Sequence, residues 1–332
     1  MTSSGRQLGA RRLLRAEGSD PLLAMYEQLL VVRRFEERVE ALRIANEIQG
    51  SVHLCIGQEA TAVGACAALE VGDPVYATYR GHGWALAAGA PLEGLFAELL
   101  GRESGVNGGR GGSAYLSHAA SGFMGENSIV GAGAPIAVGS ALASRNLGDG
   151  RVTVTVFGDG ATNQGAVHEA LNMAAAFSLP VIFVCENNVY SELTPIDEMV
   201  AQPKLYRRAA AYGMQAARVD GNDVSAMAET VSYAAERCRQ GSGPVFLEAM
   251  TYRLCGHYIG DAETYRTEAE VAERRLTEPI VVAGQQLRDK GVDQETLDEL
   301  DERVSARVDA AADHALGTPH ADVTNIREYL YA

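Results

Sequence analysis

Two short groups of residues in this chain have the types and spacing for phosphate and metal chemistry. Gly158-Asp159-Gly160 places a carboxylate inside a glycine turn, and Asn188 follows 29 positions after Asp159. A glycine turn that enters a helix presents free backbone N–H groups, which take anions. A carboxylate there repels a diphosphate, unless a divalent cation lies between them. Magnesium takes oxygen ligands, one or two from protein side chains and the rest from phosphate and water. Asp159 supplies one oxygen, the side-chain amide of Asn188 a second, and the backbone carbonyl of Tyr190 a third. Arg80, in Tyr79-Arg80-Gly81-His82-Gly83, is suited to bidentate phosphate contact, with a surface salt bridge as its plainer use. His257 lies in a glycine-flanked loop, where an imidazole suits proton transfer or charge stabilisation in a lid.

These residues need elements to hold them. Val152 to Phe157 is an apolar, β-branched run that reads as a buried parallel strand. A helix then starts near Asn163 or Gly165 and carries Val167, Ala170, Leu171 and Ala174 on one face. Leu179 to Cys185 is a second buried strand, with Glu186-Asn187-Asn188 at its carboxyl end. Such a β-α-β unit gathers polar residues where open α/β sheets bind ligands. Upstream, Asp20 and Pro21 start a helix that runs to about Asn46. Its buried stripe is Leu22, Met25, Leu29, Val32, Phe35, Val39 and Leu42, while Arg33, Arg34, Glu36, Glu37 and Arg38 mark a solvated or interface face. Asp73 to Tyr79 reads as a strand. Gly101 to Gly112 is too glycine-rich for a packed element and reads as a functional loop, in which Arg102 and Arg110 attract anions or are simply solvated. Small residues after Gly131 enter a helix through about Ala143. Gln215 to Val219 and Pro244 to Tyr252 are further strands around the helix Val224 to Arg239. The fold class expected is α/β: a doubly wound, mostly parallel sheet flanked by helices over 19–278. A flexible arm precedes it over 1–18, and a helical tail over 279–332 packs on partners.

A dinucleotide fingerprint, G-x-G-x-x-G with Glu186 as the ribose acid, fits less well. Asn163 takes the third glycine's place, and Asp159 has no role against a bare pyrophosphate. Each of GDG and NN is also an ordinary turn, but both at strand ends of one β-α-β unit favour a site. The strings GDGATNQG, HEALNMAA and LPVIFVCENN resemble the thiamine diphosphate motif. In their fuller form they resemble the alpha chain of the decarboxylating component of 2-oxo acid and acetoin dehydrogenase complexes, over about Met25 to Glu278.

That resemblance implies thiamine diphosphate and magnesium as cofactors. It places Tyr79, Arg80 and His257 against the diphosphate, and Ser128 and Val130 against the aminopyrimidine through main-chain groups. Gly160, Ala161 and Asn188 join them, with Asp159, Asn188 and Tyr190 on the metal. His257 and His82 are the catalytic candidates, His82 near the active-site mouth. His53, in H-x-x-x-GQEA, is either near the cofactor or structural. Ala114-Tyr115 stands where relatives carry Met-His, and the lid loop holds no serine for phosphorylation. By the same resemblance a separate beta chain supplies the glutamate that generates the reactive ylide and the other half of the pocket. The chain is therefore expected in an α2β2 heterotetramer that decarboxylates a 2-oxo acid or cleaves acetoin, a small-molecule acyloin. The acyl unit then passes to the lipoyl group of an acyltransferase. A carboligase subunit with no lipoyl partner and a non-catalytic, alpha-like scaffold are the alternatives.

Composition sets outer bounds. A chain of 332 residues, 47% of them hydrophobic, buries a large core. A net charge of −15 and a pI near 4.9 argue against nucleic acid or an anionic membrane as partner. Five cysteines without CxxC spacing read as reduced thiols in a cytoplasmic protein. No apolar run approaches a membrane span. Arg6, Arg11, Arg12 and Arg15 precede the first acid, Glu17, and imitate an organellar transit peptide; a loose arm is the preferred reading.

Overall fold

The computed structural model describes residues 20–329, so the arm expected over 1–18 lies outside the described residues. The chain opens with α1 (Pro21–Ile44), where the Asp20 side chain accepts from the Leu22 N–H at 2.8 Å and Pro21 takes the first turn. Next come α2 (Glu59–Ala67), β1 (Val75–Thr78), α3 (His82–Ala88), α4 (Leu92–Leu99), β2 (Phe123–Asn127) and α5 (Gly133–Leu147). The central unit is β3 (Thr153–Gly158), α6 (Gly165–Ala176) and β4 (Val181–Asn187). A small hairpin of β5 (Tyr190–Ser191) and β6 (Thr194–Pro195) follows, then the short helices α7 (Ile196–Met199) and α8 (Tyr206–Ala209). The chain continues through β7 (Gln215–Asp220), α9 (Val224–Arg239), β8 (Val245–Met250), α10 (Glu268–Arg275), α11 (Pro279–Asp289) and α12 (Gln294–Leu316).

Six strands form one wholly parallel sheet in the order β2-β1-β3-β4-β8-β7. Parallel sheets are covered on both faces, so their strands read as continuous apolar runs. In β4 all seven residues are buried. Ile182 and Val184 join the core shared with α1, α2 and α9, whereas Val181, Phe183 and Cys185 join the core shared with α5 and α6. From β1 the chain places β2 on one side and β3 on the other. The strand order therefore reverses at β1 and β3, and a crevice opens at their carboxyl ends, where doubly wound folds bind ligands.

Two expectations change. Arg33 and Glu36 are not on a solvated or interface face. Arg33 pairs with Glu59 and Glu278, each at 2.6 Å, and Glu36 is fully buried. The α1 pattern misled because a helix enclosed on most sides buries charged residues when each finds a partner. The tail is also not reserved for partners. Leu297, Leu300, Val304, Val308 and Ala312 of α12 lie in the same core as Leu22 and Phe35 of α1, and Arg34 forms a salt bridge with Asp301. Among the described residues four of the five cysteines are buried, and Cys255 is partly exposed. No helix among them is long and apolar enough to cross a membrane.

Candidate active site

The cavity at the switch point encloses about 290 Å³. Its wall takes Tyr79 and Arg80 from beyond β1, Val130 and Gly131 from beyond β2, and Asp159, Gly160 and Ala161 from beyond β3. Asn188 and Tyr190 come from beyond β4, and His257 from the loop after β8. Most of the residues singled out in sequence thus meet in one place, because each follows a strand of the same parallel sheet. Ser128 does not line the cavity; it sits one residue beyond β2, and Val130 and Gly131 reach the wall instead.

Local backbone explains the spacing. β3 ends at Gly158, a 3₁₀ turn spans Asp159–Asn163, and α6 starts only at Gly165. A Cβ on Gly160 would lie 2.1 Å from Ser191 Oγ and 2.8 Å from Ser191 Cβ, so glycine is what lets the hairpin close over the turn. Beyond β4, Val189 holds φ of +66°, unusual for a β-branched residue. That kink sits between Asn188 and Tyr190 and turns both toward the cavity wall.

The polar groups meet the test for a divalent cation. Asp159 is 1% exposed; its Oδ1 accepts from the Gly160 N–H at 3.0 Å, and among the described residues its Oδ2 has no partner. Burial pushes this carboxyl up to about 6. A buried carboxylate oxygen without a donor is costly unless a cation satisfies it. Among the described residues no three His, Cys, Asp or Glu side chains form a metal cluster. One carboxylate, one amide oxygen and a backbone carbonyl nevertheless match a magnesium site completed by phosphate oxygens.

Positive charge lines the same cavity. Arg80 donates to Leu54 O at 2.6 Å and to His257 O at 2.9 Å; burial, and then Arg253, bring its guanidinium down to about 10. Arg253, which the sequence reading passed over, lines the same cavity while 1% exposed and donates to Glu192 O and the Tyr265 hydroxyl. Its one signal in sequence was an arginine directly after a strand, in Thr251-Tyr252-Arg253. His257 Nδ1 lies 3.3 Å from Arg253 Nη1 and 3.5 Å from Arg80 Nη2. Both neighbours are obligate donors, so Nδ1 accepts and the proton sits on Nε2. Burial, and then the two arginines, hold His257 down to about 4, so it is neutral at pH 7. Its loop is knotted on Asp261, which accepts from the His257 N–H at 2.7 Å and the Tyr265 hydroxyl at 2.8 Å. His53 packs edge-on against Tyr79 and His257, at ring centroid distances of 4.5 and 5.0 Å, without lining the cavity.

Two expectations are corrected, and a rival reading already disfavoured is set aside. His82 does not stand at the mouth: it is fully buried, with Nδ1 2.8 Å from Glu36 Oε2 and Nε2 2.9 Å from Ser113 Oγ. Burial alone would lower its basicity, but the Glu36 carboxylate outweighs that and raises it. His82 therefore ties α1 to the end of the glycine-rich loop. That loop is not an open anion trap either. Glu98 fills it, accepting from the Asn107, Gly109 and Gly111 N–H groups at 2.7, 2.8 and 2.6 Å. Arg102 and Arg110 turn away to Thr318 O and Asn325 Oδ1. Glu186 is no ribose ligand, since it accepts from the Thr61 hydroxyl and from Trp84 Nε1 at 3.1 Å.

Fold and site together define an α/β protein with a polar cleft at its switch point, lined by Asp159, Asn188, Arg80, Arg253 and His257. The family model described as dehydrogenase E1 component matches residues 27–324. The alpha subunit of acetoin:2,6-dichlorophenolindophenol oxidoreductase of Bacillus subtilis (strain 168) is 41% identical, covering 93% of this chain and 94% of that protein. The pyruvate dehydrogenase E1 component subunit alpha of Rhizobium meliloti (strain 1021) is also 41% identical, over 92% of this chain and 88% of that one. The somatic mitochondrial form from Homo sapiens is 37% identical over 93% of this chain and 79% of its own length. The chain belongs to the dehydrogenase E1 component family.

Proposed function

We propose that this chain is the alpha subunit of a thiamine diphosphate-dependent dehydrogenase that, with a beta subunit, decarboxylates a 2-oxo acid or cleaves acetoin. The observation that carries this reading is the orphaned Asp159 Oδ2 facing a cavity that also holds Asn188, Arg80 and Arg253. A diphosphate fits that set of charges: guanidinium groups that bind it directly, and a carboxylate that binds phosphate only through magnesium. When bound, the cofactor supplies a carbanion centre that adds to the carbonyl carbon and accepts the electron pair on loss of carbon dioxide.

The chain's own residues would bind, orient and exclude water. Asp159 and Asn188 hold magnesium with the Tyr190 carbonyl, and Tyr79, Arg80 and Arg253 hold the diphosphate. The backbone at Val130 and Gly131 is the surface for the ring. Neutral His257 offers Nε2–H as a hydrogen-bond donor to negative charge that develops on the substrate, a role for which a low basicity is suited. His82 supports the wall and makes no substrate contact.

The glutamate that activates the ring is assigned to the beta chain, as the family resemblance implies. Val130 on the wall is 43% exposed, and Ile129 and Ile136 beside it are 72% and 48% exposed, as a surface covered by a beta chain requires. An α2β2 assembly in the cytoplasm, serving a lipoyl-bearing acyltransferase, completes the proposal. The test is reconstitution with the beta chain, using 2,6-dichlorophenolindophenol as electron acceptor and a panel of pyruvate, branched 2-oxo acids and acetoin. Dye reduction with at least one substrate, dependent on both chains, supports the proposal. No reduction with any of them, while the assembled pair still binds the cofactor, favours a carboligase.

A further inference from the structure

The GQEA segment, Gly57-Gln58-Glu59-Ala60, lies outside the cavity wall, yet its glutamine touches a candidate cation ligand. Asn188 donates its side-chain N–H to Gln58 Oε1 at 2.9 Å, and both side chains are buried. An asparagine amide has one oxygen and one nitrogen of nearly equal size, and only the oxygen ligates a hard cation. Which of them points toward the cation is set by the groups on either side. The Tyr190 N–H, 3.2 Å from Oδ1, requires an oxygen there, and Gln58 Oε1 requires an N–H on the opposite side.

The backbone around Gln58 is held independently of its side chain. Its N–H donates to Cys55 O at 2.9 Å, and its carbonyl accepts from the Thr61 hydroxyl at 2.7 Å. Glu59 accepts from the Gly57 N–H at 3.0 Å and from Arg33. Gly57 has φ of +94°, and a Cβ there would lie 2.4 Å from Tyr252 O, so the segment is pressed against the chain leaving β8. Among the described residues the Gln58 Nε2 is buried without a partner. A glutamine that leaves a buried N–H unsatisfied while offering its oxygen to one asparagine is poorly explained by packing alone.

We infer that Gln58 is a positioning residue that fixes the Asn188 amide with its oxygen turned toward the cation. The inference rests on the reading of Asp159 and Asn188 as cation ligands. It assigns Gln58 no contact with cofactor or substrate.

The test is a double-mutant cycle on the assembled alpha–beta complex. Manganese affinity is measured in the presence of thiamine diphosphate by the paramagnetic resonance signal of the free ion. Gln58→Leu, which removes the acceptor, is expected to weaken manganese binding about tenfold, the lower end for outer-shell partners of metal ligands. Gln58→Glu keeps the acceptor and is expected within about threefold of wild type. In an Asn188→Asp background either end of the side chain is an oxygen. There Gln58→Leu is expected to cost nothing further. A glutamine needed only for packing would cost the same in both backgrounds, and that result overturns the inference; so does a tenfold loss in Gln58→Glu. Asp159→Ala separates the two levels of the argument. If it leaves manganese binding intact, the cation reading fails and this inference with it. If it abolishes binding while Gln58→Leu has no effect, this inference alone fails.

Discussion

Replacing Glu98 with glutamine changes one atom and removes the support of the glycine-rich loop. Glu98 Oε2 accepts from the Asn107 and Gly109 N–H groups, at 2.7 and 2.8 Å, and Oε1 from Gly111 and Gly112, at 2.6 and 3.4 Å. Every neighbour is a donor. An amide has only one oxygen, so either orientation of the substituted side chain sets an NH₂ group against two backbone N–H groups. At least two bonds to a carboxylate are lost, each worth about 1.5–3 kcal/mol. The loop is partly exposed, and water replaces some of that, leaving about 3 kcal/mol. The expected result for Glu98→Gln is faster amide exchange at Asn107, Gly109 and Gly111 by roughly a hundredfold, with exchange in β3 and β4 unchanged. Glu98→Gln with wild-type protection across 105–112 would refute the idea that this carboxylate fills the loop.

Gly160→Ala sets a methyl 2.1 Å from Ser191 Oγ and 2.8 Å from Ser191 Cβ. The overlap is expected to weaken cofactor binding by about 1–3 kcal/mol, measured by calorimetry, with Ser191→Gly restoring part of it. Glu126 carries a carboxyl pushed up to about 8 by burial, its Oε2 accepting from the Leu116 N–H at 2.8 Å and its Oε1 without a partner among the described residues. A folded value above the unfolded one means that this stabilisation is complete below about pH 4.5 and is lost as pH rises through about 8. Wild type is therefore expected to lose about 1.4 kcal/mol per pH unit between about pH 4.5 and 8 relative to Glu126→Gln, and to level off above pH 8, followed by chemical denaturation from pH 5 to 9.5. Asp261→Asn cannot accept from all of the His257 N–H, the Glu263 N–H and the Tyr265 hydroxyl without turning an NH₂ group toward a donor. The expected outcome is faster proteolysis at Arg266 with the melting temperature of the sheet domain little changed.

The strands were legible because a parallel sheet covered on both faces leaves continuous apolar runs, as in Val181 to Cys185. Asp159, Asn188, Arg80 and His257 were legible for the related reason that each follows one of those strands. His82 was misplaced because nothing in Tyr79-Arg80-Gly81-His82 distinguishes a residue beyond a strand from the first turn of the next helix. Arg80 falls on the cavity side and His82, two residues later, faces Glu36. Glu36 and Glu98 look like surface charges on helices. Their burial depends on partners far along the chain, 46 positions away for His82 and 9 to 14 for the loop amides. Such pairings leave no periodic trace. Arg253 was missed for want of a motif, although the end of β8 is the same kind of position as the end of β1.

The central claim is that this chain holds the diphosphate and cation half of a shared site. The most direct measurement is calorimetric titration of thiamine diphosphate with magnesium into the chain alone, into the chain co-expressed with a beta subunit, and into that pair carrying Asp159→Ala. Tight binding by the pair, absent from the chain alone and abolished in Asp159→Ala, is the expected result. Equal binding by the chain alone, or binding by the pair that survives Asp159→Ala, would contradict it.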